Sequence, residues 1–442
     1  MTNQQKPRLS FLQIWNMCFG FLGVQFGMGL TLANMSPIYR YLGAEESELP
    51  ILWLAGPITG LIVQPIIGVM GDNTWGKWGR RKPFFMIGAI VASICLIVMP
   101  YSPSVWVAAG LLWFLDASVN TSMESFRALL GDMLSKEQQP TGFSVQTFMI
   151  GIGQLFSALM PYILILFGFA AVAEDNTVPD FVKYAFVLGA IIILTSIFWT
   201  AYTTKEYPPE DLESFKALRK ERGGFINTFK EIFVAVKEMP LALKQIWWVK
   251  LAIWYAFPLM WQYLSLSFAR HIYGASGPQD SGFSDGVAMG GVGMAIYCSA
   301  PIVMSFLFNT LITKFGTRKL WALLMMVGSV GFIAFQFTNT LTLFFLFCFM
   351  IGMAFSGICT LPYLILARIV PQDRVGVYMG LLNAFICLPQ ILSMLTIPFF
   401  YESLLGSDPR NALLLAGILW GTAGLLCLRI TKTVDRDNLK KN

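Results

Sequence analysis

The chain reads as an all-α membrane protein of twelve transmembrane helices, arranged as two pseudo-symmetric six-helix bundles. Three observations predict this. Its 442 residues are 56% hydrophobic and only 13% charged, against about 25% charged in soluble domains. A soluble core cannot enclose that much apolar surface, whereas a bilayer covers it. The apolar residues fall into about twelve runs of hydrocarbon-spanning length. Finally, the polar stretches between the runs repeat their pattern in the second half of the chain.

The first six runs cover roughly 11–36, 50–71, 83–101, 104–132, 143–168 and 180–203. The last six cover roughly 246–270, 286–312, 318–337, 341–369, 377–401 and 410–431. The N-terminal MTNQQKPRLS is polar and carries no cleavage site, so the first run reads as a retained helix. With both termini cytoplasmic, only Arg40, Lys183, Arg270 and Arg410 fall outside, leaving 27 of the 31 Lys and Arg within. Such a bias fixes orientation, and it accounts for the net charge of +6 without a nucleic-acid partner. The outer loops carry acids instead, among them Glu45, Glu46, Glu48 and Asp285.

The organisation follows: residues 1–203 form one bundle, 204–245 a cytoplasmic linker, and 246–442 a second bundle with a short tail. The linker holds a charged stretch and then an apolar-spaced stretch from Phe225 to Met239. That stretch is either a surface helix resting Phe229, Phe233 and Val236 on protein or headgroups, or a solvated connector. GDNTWGKWGRRK after run two has a counterpart in NTLITKFGTRK after run eight. RALLGDMLSKEQQPTGFS after run four is mirrored by ARIVPQDRVGVYMG after run ten. Repeats so placed imply a pseudo-twofold axis with a substrate cavity between the halves.

Gly68 to Phe84, GVMGDNTWGKWGRRKPF, places an acid, two glycines and four basic residues in one short membrane-face loop. The pattern resembles the helix 2 to helix 3 loop of the major facilitator superfamily. Longer stretches resemble one branch of it, the proton-coupled sucrose transporters and their glucoside-transporting relatives, which are similar to glycoside-pentoside-hexuronide:cation symporters. These are WLAGPITGLIVQPIIGVMGDNTWGKWGRRKPF from Trp53, MSPIYRYLG from Met35 and LDASVNTSMESFRALLGD from Leu115. Run seven, with Phe257-Pro258 and then RHIYG from Arg270, is similar with an altered spacing, and it lacks the acids that plant members carry after that Phe-Pro pair.

Asp116 is the first candidate for chemistry. It follows LLWFL inside an apolar run, where an ionised carboxylate costs roughly 2.5–3.5 kcal/mol on insertion scales. An acid so placed faces a wet cavity or a partner and marks an ion or substrate path. The alternative is a helix–helix hydrogen bond without a transport role. Asp116, Asn120, Met123 and Arg127 recur at intervals of four, three and four, and so share one stripe of helix 4. Arg127 is three turns from Asp116, placed to pair with Glu124 or with an acid on another helix. Glu124 is that partner or a second titrating group. The resemblance implies that Asp116 carries the proton, whereas Glu124 stands where plant members are expected to carry a neutral residue; Glu124 and Arg127 join the proton-coupling candidates on their place in the run. It also implies that Asp72 and Arg80 or Arg81 join Asp132 and the facing half in a gating cluster.

A sugar site needs amides and flat aromatic faces with few full charges. Helices 1, 4, 7 and 10 line the cavity in this superfamily, which favours Asn34, Asn120, Trp254, Gln262 and Tyr363. Gln64 lies in a family motif of helix 2, and Asn383 is a further amide within a run. The lone His271 and seven scattered cysteines offer no metal spacing, so no metal, cofactor or enzymatic centre is expected. Run two holds no acid in its apolar core, unlike the melibiose-type sodium-coupled transporters, and a lone carboxylate suits a proton better than sodium.

The reading is a monomeric proton-coupled symporter importing a neutral disaccharide or glucoside, of the sucrose or maltose type, across a bacterial inner (plasma) membrane. Its partners are the sugar, the proton and the lipid bilayer. The chief rival is a proton antiporter exporting drugs or metabolites; a receptor or scaffold is a remoter one.

Overall fold

The computed structural model describes residues 7–72, 74–135, 137–169, 177–208, 236–275, 277–280, 282–370 and 375–431. Twelve long helices dominate the described residues. The first six are α1 (Phe11–Tyr41), α2 (Ala55–Asp72), α3 (Lys82–Val98), α4 (Val105–Met133), α5 (Gln139–Leu166) and α6 (Asp180–Thr203). The second six are α7 (Leu241–His271), α8 (Phe283–Phe315), α9 (Thr317–Ala334), α10 (Leu341–Ile369), α11 (Val375–Thr396) and α12 (Pro409–Cys427). The only β pairing among the described residues is a single bridge between Gly76 and Gly79. Most of the linker, with Phe225, Phe229 and Phe233, lies outside the described residues.

Two runs are interrupted where the sequence looked continuous. The second begins with a separate turn, Leu49–Leu52, before α2 starts at Ala55. The eleventh stops at Thr396, followed by the short Pro398–Tyr401. Pro398 has no N–H with which to continue the ladder, so the chain can redirect there.

Ten helices are long and apolar enough to cross a membrane by length and composition. The exceptions, α4 and α7, are long but more polar. They carry the charges that lie farthest from helix ends: Asp116, Glu124 and Arg127 on α4, and Lys250 on α7.

Packing repeats with a shift of six helices. In the first half α1 packs on α5 and α6, α2 and α3 on α4, and α3 on α6; in the second, α7 packs on α11 and α12, α8 and α9 on α10, and α9 on α12. Between the halves α1 meets α7, α5 meets α8 and α2 meets α11. A twofold axis exchanging α2 with α8 and α5 with α11 reproduces that set. Lipid supplies no hydrophobic drive between helices, so these contacts rest on close fit. At Gly286 and Gly290 of α8 the backbone of α7 presses in at Ala269 and Ser265, leaving no room for a Cβ.

Candidate functional site

The space between the halves is lined on the first side by a polar seam where α4 meets α2. Gly56, Gly60, Gln64 and Gly68 recur every fourth residue along α2 and form one stripe. Three side chains of α4, at the same spacing, face that stripe. A Cβ added at Gly56 would sit 3.4 Å from Asp116 Oδ2, and one at Gly68 would sit 3.6 Å from Glu124 Oε1. Between them Gln64 Nε2 donates to Asn120 Oδ1 at 2.6 Å, while Asn120 Nδ2 donates to Thr59 Oγ1 at 3.2 Å and to the Asp116 carbonyl at 2.9 Å. Pro65 lies inside α2, where its missing N–H loosens the helix beside Gln64.

Asp116 is half-buried, and its carboxylate makes no hydrogen bond or ion pair with any described residue. Tyr39 of α1 lies within its electrostatic reach. The carboxylate therefore faces α2, with no described cation paired to it. Arg127 is exposed and makes no ion pair among the described residues, but Tyr363 of α10, on the other half, lies within its electrostatic reach. Glu124 is itself engaged and not free.

Three helices supply the second side. Tyr363 is half-buried, and Lys250 of α7 holds its ammonium 5.2 Å from that ring's centre. Asn383 of α11 donates to the Gly60 carbonyl at 3.5 Å, bridging the halves. Trp254 Nε1 and both polar atoms of the Gln262 side chain are buried without a partner among the described residues. Burying such groups unbonded is costly. Asn34 is buried in α1 and donates back to the Leu30 carbonyl at 2.9 Å, within its own helix.

Every described hydrogen bond or ion pair between the halves lies at mid-depth or at the face opposite the termini. At that face Glu46, from the α1–α2 connection, enters a socket of the second half. Its carboxylate takes Arg270 Nη2 at 2.5 Å and the Tyr401 hydroxyl at 2.7 Å, and its carbonyl takes the Tyr263 hydroxyl at 2.9 Å. Tyr263 and Tyr401 stack with centres 4.9 Å apart, and Tyr41 bonds Ser284 at 2.7 Å alongside.

At the termini face the described contacts of the charge cluster stay within the first half. Arg81 Nε meets Asp132 at 2.8 Å and Arg80 Nη1 meets it at 3.9 Å. Glu206, just beyond α6, accepts the backbone N–H groups of Arg80, Arg81 and Lys82 at 2.7 to 3.1 Å. A carboxylate suits that helix N-terminus. Gly79, at φ 97°, allows its approach, since a Cβ there would lie 2.7 Å from Glu206 Oε1. The Asp72 side chain lies outside the described residues.

Sequence reasoning missed three groups. Lys250 carried the same signal as Asp116, a charge inside an apolar run, but hid behind two tryptophans. Glu206 and the Glu46 socket depend on contacts distant in sequence, and no local spacing announces them.

The Major Facilitator Superfamily model matches residues 17–300 and 286–442. The chain is 24% identical to "Sucrose transport protein SUT5" of Oryza sativa subsp. indica, over 87% of this chain and 81% of that one. It is 26% identical to the "General alpha-glucoside permease" of Schizosaccharomyces pombe, over 60% of this chain and 50% of that one. Among solved structures, the nucleoside transporter NupG superposes with a TM-score of 0.67 at 14% identity, covering 95% of this chain and 98% of that one.

Proposed function

Because the chain belongs to the Major Facilitator Superfamily, we propose that it imports a neutral disaccharide or glucoside with a proton, by alternating access. The similarity to a sucrose transporter and an α-glucoside permease supports a sugar as cargo. A single observation carries the coupling. Asp116 sits within the α4–α2 seam, its carboxylate without a described cation and bordered by the bare Gly56.

In this reading the termini are cytoplasmic, the membrane is a bacterial inner (plasma) membrane and the bundles are residues 1–203 and 246–442, joined by 204–245. The described arrangement, closed at the far face, then corresponds to the inward-facing state. With the outer face open, Asp116 takes a proton and the sugar binds between the halves. Gln64 and Asn120 exchange their mutual bond for sugar hydroxyls, and Trp254, Gln262 and Tyr363 meet the ligand from the other side. Neutralising the carboxylate lowers the cost of closing it into a dry site. Glu46 then seats against Arg270 while the Arg80–Arg81–Asp132 cluster releases the inner face, exchanging two arrangements a few kcal/mol apart. An inward proton gains about 2.3 kcal/mol per 100 mV of membrane potential.

Purified protein in liposomes with an inward proton gradient is expected to accumulate labelled sucrose or maltose, and a protonophore to abolish the accumulation. Uptake of neither sugar would contradict the proposal. Proton release on binding an apolar drug would favour the antiport alternative.

A further inference from the structure

Lys250 is a lysine buried deep in the second half, and the scheme above gives it no task. Its side chain is 1% exposed. It stands nine residues from the start of α7, much as Glu124 stands nine from the end of α4 on the facing half. An ammonium offers three donors. Here they find only the Leu382 carbonyl at a long 3.4 Å and the Tyr363 ring at 5.2 Å, and no carboxylate among the described residues. A lysine kept for structure would be paired, because an uncompensated buried charge is strongly destabilising. One retained unpaired faces the interior and belongs to a substrate or ion path.

Its neighbours place it beside the space between the halves. Cys359 of α10 is exposed, yet Lys250, Tyr297 and Tyr363 all lie within its electrostatic reach. Cys359 stands one helical turn from Tyr363 and shares its face of α10. Cys387 approaches Gly60 of the first half, where a Cβ would lie 3.6 Å from its sulfur. Arg127 reaches the same Tyr363 from the first half. One turn along α7 from Lys250 is Trp254, whose Nε1 is also unbonded.

We propose that Lys250 is a substrate-binding residue, donating hydrogen bonds to sugar hydroxyls from the second half while the Tyr363 ring supports the sugar face. This rests on the sugar reading above and adds to it the group that sets affinity from the second half. Asp116 governs coupling, and Lys250 governs recognition.

The chain carries its own reporter, since Cys359 is exposed while Cys18, Cys95, Cys298, Cys348, Cys387 and Cys427 are buried. Maleimide labelling of Cys359 in the intact protein, read by mass spectrometry, is expected to slow as sucrose or maltose is added. Lys250→Met, similar in length and apolar, is expected to raise the half-protecting concentration about tenfold or more. Lys250→Gln, which keeps a donor, should raise it less. Wild-type half-protection in a Lys250→Met protein that has lost uptake would overturn the proposal, because the lysine would then act on the conformational step. Sugar uptake without any protection of wild-type Cys359 would overturn it too, while leaving the sugar reading intact. Failure of both uptake and protection would remove the sugar reading itself.

Discussion

Asp116 and Asn120 stand one helical turn apart on α4 and are held in opposite ways. The Asn120 amide is tied to Gln64, Thr59 and its own helix, whereas the Asp116 carboxylate has no partner among the described residues. In the proposed scheme that difference separates a group that positions from one that carries the proton. The Gln64–Asn120 bond is expected to show a coupling of about 0.6–2 kcal/mol in a double-mutant cycle with Leu at each position, measured by thermal unfolding in detergent. Strict additivity would mean that the 2.6 Å contact contributes nothing. Asp116 was legible because hydrocarbon makes any interior charge conspicuous. Lys250 obeyed the same rule and was missed. The partners of Asn120 were not, since four-residue spacing defines a helix face but not which neighbouring helix that face meets.

Whole helices were easier to read than their contacts. Hydrocarbon length bounds each run, and all twelve runs became helices, with breaks only near Trp53 and Pro398. The seam between α7 and α8 was not readable, though the physics that closes it is simple. Gly286→Ala would drive a methyl into the Ala269 backbone, which cannot yield, so a loss of about 1–3 kcal/mol is expected, seen as a lower unfolding temperature. Gly110→Ala on α4, with nothing within 4 Å, should leave that temperature unchanged or raise it. Equal effects at the two sites would contradict the packing described.

The connection that carries Glu46 responds to pH. Burial pushes the Glu46 carboxyl above its ordinary 4.5, more than Arg270, Tyr401 and Arg40 draw it down. A carboxyl raised in the closed arrangement takes up a proton on closing, so closure strengthens as pH falls through that raised value towards the ordinary 4.5 and the gain is lost as pH rises through it again. Asp408, beside His271, is held below its ordinary 3.8, its burial outweighed by His271, the Arg410 N–H and Arg270. Its contribution is lost only below that value, outside the Glu46 window. Spin labels at exposed positions 48 and 285 are expected to report more of the short distance at about pH 5 than at about pH 7. Glu46→Gln, neutral throughout, should flatten the dependence; an unaltered dependence would exclude Glu46 as its source.

At the scale of the whole molecule, the two halves touch at the far face and at mid-depth, and the interior charges lie between them. The sequence repeats foretold two related bundles. They could not foretell which face would be closed, because the contacts there, the Glu46 socket among them, join residues distant in sequence. The alternating access proposed above asks that this socket open while the Arg80–Arg81–Asp132 cluster engages the other half, and assigns to the protonation of Asp116 the choice of when the exchange is cheap. The most direct test is Asp116→Asn in liposomes, comparing gradient-driven accumulation with sugar exchange at equal pH. The account predicts that accumulation disappears while exchange persists at a substantial fraction of the wild-type rate. Undiminished accumulation in that variant would show that the proton is carried elsewhere.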